Sequence, residues 1–77
     1  MTFAARLVEL HDAEGMPLEL TLQMAREGGR RVPLLGLLAG MAQRGWGKAA
    51  ARQAAEHWRA NFAPTAGEAL ALERLAT

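Results

Sequence analysis

Covalent catalysis usually needs a Ser, Cys, Thr or Lys nucleophile, or a carboxylate, beside a base that activates it. This sequence has no Ser and no Cys. Its single lysine, Lys48, lies on the charged face of an amphipathic segment. The two histidines, His11 and His57, fall in separate segments. His11, Asp12 and Glu14 form a small polar cluster at a helix end, but a metal needs more ligands in convergent geometry. His11 is therefore read as a surface histidine near a helix C-terminus, where its partial charge is welcome. His57 is read as bordering Trp58 at the edge of the core. We expect no enzyme, no catalytic residue, no metal and no cofactor.

Anion binding has one candidate, Gly28-Gly29-Arg30-Arg31-Val32-Pro33. It sets flexible backbone and two guanidinium groups just ahead of a helix N-terminus. Free N–H groups and the helix dipole make such ends favourable for phosphate or carboxylate. The simpler reading, a glycine helix stop followed by two solvated arginines, is the one we favour. No Gly-Lys-Thr/Ser follows, so the segment is not a nucleotide P-loop.

Nucleic-acid binding is the next chemistry to weigh. Residues 41–58 read helix, glycine turn, helix, with Lys48, Arg52, Gln53 and Arg59 exposed on the second helix. That is the outline of a helix-turn-helix, whose second helix enters the major groove. The finer pattern fits poorly. With Gly45 as the turn glycine, Gly40 and Arg44 fall where the motif wants apolar packing, and Met41 falls where it wants a small residue. Glu56 on the second helix would repel phosphate. A DNA-binding regulator is therefore the alternative expectation.

Trp58 lies on an inward stripe and is read as core. Trp46 stands between two glycines and is flanked by Arg44 and Lys48. It suits a partner anchor, since Trp and Arg are enriched at interface hot spots, and it suits a cap on the core equally well. Charge is unevenly spread. Residues 26–59 carry a net +5 against −3 for residues 1–25 and −1 for residues 60–77. A basic middle between acidic ends is either an anion-binding patch or two halves of an internal charge match.

The elements that must hold these residues are helical. Ile and Tyr are absent as well as Ser and Cys, and only Val8, Val32 and four Thr are β-branched. That composition disfavours sheet. Residues 32–44 form the one long run with no charge until its last residue, Arg44. Pro33 suits the first helical position, and Leu34, Leu35, Leu37, Leu38 and Met41 cover nearly the whole circumference, as in a buried helix. Gly36 and Gly40 are four apart there, which suggests close approach of another backbone.

A first helix is expected over 3–13, capped by Thr2 and stopped by Gly15, with Phe3, Leu7 and Leu10 on one face. A second starts after Pro17 and ends at Gly28-Gly29. Residues 18–24 alternate like a strand, but they are mostly good helix formers and have no partner strand, so helix is preferred. It should bury Leu18, Leu22 and Ala25. A fourth helix runs over 48–62, with Ala51, Ala55, Trp58 and Phe62 inward and an Arg52–Glu56 pair outward. Thr65-Ala66-Gly67-Glu68 is a capping box opening a last helix over 66–75, with Ala69, Leu72, Leu75 and Ala76 inward.

Seventy-seven residues make one domain, near the lower size limit for a chain that folds on its own core. Seventeen are alanines, which bury little area each. Small chains of this kind gain stability by association, so a homodimer is expected. The longest apolar run, about thirteen residues, is shorter than the roughly 20 a membrane span needs. No signal-peptide pattern opens the chain, and a cytoplasmic protein is expected.

The expected fold is all-α: one helical domain over 1–77, a compact bundle of four to five short helices around the buried helix 32–44. The expected function is a small non-enzymatic binding or regulatory protein, an adaptor or inhibitor of a larger machine of the kind phages and mobile elements carry. It would meet an acidic protein partner through Arg30, Arg31, Arg44, Trp46, Lys48, Arg52 and Arg59.

Overall fold

A computed structural model describes residues 2–77 and contains five α-helices. They are α1 (Phe3–Glu14), α2 (Leu18–Glu27), α3 (Leu34–Gln43), α4 (Lys48–Arg59) and α5 (Ala66–Ala76). No strand occurs among these residues, and the alternating run 18–24 is helical. The bundle measures 31 × 29 × 20 Å.

Local chemistry sets the helix ends. Thr2 Oγ1 accepts from the Ala5 N–H at 3.1 Å and starts α1. Gly15, at φ 71°, returns its N–H to the His11 carbonyl and stops it. Gly29 and Gly45, also at positive φ, close α2 and α3 in the same two-bond pattern. The residue after each glycine donates five residues back, Arg30 to Ala25 at 2.8 Å and Trp46 to Met41 at 3.1 Å. Both arms of the Thr65–Glu68 capping box form at α5.

The core gathers Val8, Leu22, Val32, Leu34, Leu37, Met41 and Trp58, all fully buried. α1 packs closely on α3, and glycine makes this possible. A Cβ at Gly36 would sit 3.2 Å from Ala4 Cβ, and one at Gly40 3.3 Å from Val8 Cγ2 and 3.4 Å from Ala5 Cα. The four-residue glycine spacing therefore does mark a close backbone approach.

Two burial expectations are corrected. The central helix is not covered all round, since Leu35 is 55 % exposed. Leu35, Ala39 and Ala42 lie on one side of α3 and are exposed. On α5, Ala69 and Ala76 face out, and the buried position is Glu68, with Ala71, Leu72 and Leu75 half-buried. A charged residue occupies the inward stripe there because its partners come from elsewhere in the chain.

Candidate functional site

The anion candidate at 28–33 is where sequence and structure part most clearly. The start of α3 holds an anion, and the anion is the chain's own. Glu68 Oε2 accepts from the Leu34 N–H at 2.8 Å and from Arg31 Nη1 at 3.1 Å. Glu68 Oε1 accepts from Arg31 Nη2 and, at 2.9 Å, from the Thr65 N–H. Arg31 also donates to the Ala63 carbonyl at 2.9 Å and lies 5.6 Å from the Trp58 ring centroid. The Arg31 hydrogen bond holds the Glu68 carboxyl down at about 2, against the opposing effect of burial, with backbone bonds from Thr65 and Leu34 adding to it. The same bond raises the Arg31 guanidinium. Arg31 is thus the link that fastens α5 to the start of α3, not a solvated arginine.

The other basic residues divide in the same way. Arg44, at the end of α3, donates to Asp12 Oδ2 at 2.6 Å and lies 3.9 Å from Glu9, tying α3 to α1. Arg30 places its guanidinium 3.6 Å from the Phe3 ring centroid, a cation–π contact. Lys48 donates to the Thr77 carbonyl at 3.3 Å, and Arg52 donates to Leu75 and Thr77 carbonyls at 2.5 and 3.4 Å. These bonds set the cationic start of α4 against the negative end of the α5 dipole. They also replace the expected Arg52–Glu56 pair, which does not form.

Lys48, Arg52 and Arg59 are brought together on the exposed face of α4. Arg52 and Arg59 line a groove of about 360 Å³ between α4 and α5, floored by Ala55, Leu72 and Leu75. Arg30, Arg31, Arg44 and Trp46 lie elsewhere. For a helix-turn-helix reading, Lys48, Arg52, Gln53 and Arg59 are all exposed on α4, but α5 runs along the side that Lys48 and Arg52 face.

Trp46 is half-buried and stands edge-on to His11, ring centroids 5.2 Å apart and 73° between planes. His11 Nδ1 donates to the Met16 carbonyl at 2.6 Å. Both rings, together with His57, Glu19, Gln53 and Pro17, line a second cleft of about 250 Å³. That the two histidines line one cleft was not visible in the sequence, because it depends on how α1, α2 and α4 cross. Trp58 is core as expected, its Nε1–H donating to the Val32 carbonyl at 2.6 Å.

Among the described residues, no helix is long and apolar enough to cross a membrane, and no three His, Cys, Asp or Glu are placed to hold a metal ion. No protein-family model, curated protein or solved structure matches the chain.

Proposed function

We propose that this chain is a small regulatory binding protein of the cytoplasm, with no reaction of its own, that docks an acidic protein partner on α4. One observation supports the choice of surface. Arg6, Arg31 and Arg44 are each paired with a carboxylate, whereas Lys48, Arg52 and Arg59 have none among the described residues. Lys48 and Arg52 donate only to main-chain oxygens at the end of α5, so no side-chain carboxylate is paired with the three, and Glu56 is the one acid that shares α4 with them. The neighbouring groove between α4 and α5 offers Leu72 and Leu75 for apolar contact. Long-range attraction to such a face speeds encounter with an acidic surface.

The test is fluorescence anisotropy with two probes. One is a helical peptide with carboxylates on one face and leucines on the next. The other is a mixed-sequence DNA duplex, read at about 50 and about 200 mM salt. Peptide binding that Arg59→Glu abolishes supports the proposal. Tight DNA binding that falls by orders of magnitude across that salt range transfers the face to nucleic acid.

A further inference from the structure

The cleft between α1, α2 and α4 has no part in the reading above, and its lining is specific in chemistry. It offers a carboxylate and further acceptors. The Glu19 carboxylate makes no ion pair or hydrogen bond among the described residues. A carbonyl only accepts, so the 2.6 Å contact to Met16 puts the His11 proton on Nδ1. That leaves Nε2 of a neutral His11 with its lone pair free. Gln53 adds an amide oxygen.

The rest of the lining is His57 and the Trp46 indole with Pro17, Leu18, Ala50 and Ala54. The two cations nearest along the chain are engaged elsewhere, Arg44 with Asp12 and Lys48 with the Thr77 carbonyl. No Lys or Arg lines the cleft, so an anion entering it would meet the Glu19 carboxylate without a guanidinium or ammonium to hold it. At about 250 Å³ the space is below the range of about 300–1,000 Å³ usual for small-molecule sites. It is the size for one side chain.

We propose that this cleft receives an arginine side chain presented by a partner protein. The aliphatic stem lies on Pro17 and Ala50. The guanidinium stacks at Trp46 and donates to Glu19, with His11 and Gln53 as further acceptors. Arginine fits better than lysine because its planar fork both stacks and donates to several acceptors at once. This site is independent of the basic face of α4, and no residue tested here belongs to that face.

The experiment is an NMR titration of the ¹⁵N-labelled chain with Nα-acetyl-arginine methylamide, its lysine counterpart and inorganic phosphate. The arginine amide is expected to shift the Trp46 indole N–H, the Gln53 side-chain amide and the backbone of residues 18–19 saturably, with a Kd of about 1 mM or weaker, as befits a single side chain. Glu19→Gln, a substitution at an exposed position, is expected to weaken binding about tenfold by removing a charge-assisted bond. Trp46→Phe, which keeps a ring in place, should weaken it less. No saturable shift overturns the proposal. So does unchanged affinity in Glu19→Gln, equal binding of the lysine amide, or phosphate moving the same signals.

Discussion

The carboxylate of Glu68 sits 2.8 Å from the amide nitrogen of Leu34, thirty-four residues away, and closes the start of α3. A helix N-terminus attracts an anion through its unpaired N–H groups and its dipole. Here the anion is supplied by the first turn of α5, and Arg31 neutralises it from the other side. One side chain thereby completes the α5 capping box, starts the central helix and anchors the last helix to the core.

Replacing Glu68 should therefore cost more than a capping residue alone. Glu68→Ala removes the acceptor for Leu34, Thr65 and Arg31 together, and Leu34 is fully buried. Cutting one partner from a buried pair costs about 3–5 kcal/mol, but the Arg31 side chain is 43 % exposed and water will serve it in part. We expect a loss of about 2–3 kcal/mol in urea unfolding. Arg31→Ala should cost less, since Glu68 keeps its backbone donors.

The same contact makes stability depend on pH in acid. The folded Glu68 carboxyl ionises at about 2, below its ordinary value of 4.5. A depressed carboxyl binds fewer protons folded than unfolded, so its stabilisation is whole above about pH 5 and drains away as pH falls toward 2. The wild-type chain should lose on the order of 2–3 kcal/mol across that window, after allowance for the solvent around Arg31. Glu68→Gln should be less stable at pH 7 and show a flatter profile below pH 5. Urea midpoints collected from pH 7 to pH 2 check both.

Gly40 gives a further prediction. Alanine is better than glycine inside a helix by about 1 kcal/mol, which argues for a gain. The added methyl would lie 3.3 Å from Val8 Cγ2 and 3.4 Å from Ala5 Cα, so α1 itself would have to move. Overpacking costs about 1–3 kcal/mol, and we expect it to prevail. Gly40→Ala should lower stability by about 1 kcal/mol, and Gly40→Leu should lower it far more. A rise in the melting temperature of Gly40→Ala would show that α1 moves freely on α3.

These cases also show what a one-dimensional reading reaches. The helix ends were legible because Thr2, Gly15, Gly29, Gly45 and Thr65 act on backbone within a few residues of themselves. Trp58 in the core and the Gly36–Gly40 approach were legible because periodicity reports which residues share a face. Leu35 was misjudged because periodicity does not say whether a neighbour covers that face. Glu68 was read as a capping residue and no more, since the box already accounted for an acid there. Its second role rests on a contact over thirty-four residues, and no local pattern announces that. The likeness of Arg31 and Arg59 in sequence was equally silent, although one is fastened to Glu68 and the other to no carboxylate.

That difference between basic residues separates architecture from binding by experiment. Arg44 is held 2.6 Å from Asp12 and lies near Glu9, across the α1–α3 contact. Arg44→Glu sets three carboxylates together there, and its side chain is 32 % exposed, so solvent limits the penalty to about 1 kcal/mol. Arg59 has no carboxylate partner among the described residues and stands at the rim of the α4–α5 groove. Arg59→Glu should leave the urea midpoint within about 0.5 kcal/mol of wild type. Its effect belongs to association, where a rim charge governs the rate of encounter with an acidic partner. The expected result is a crossed pattern in which Arg44→Glu weakens the fold and spares acidic-peptide binding, while Arg59→Glu spares the fold and removes binding. Equal binding by both variants would take the α4 face out of the proposed function and leave its cations as solvated charge.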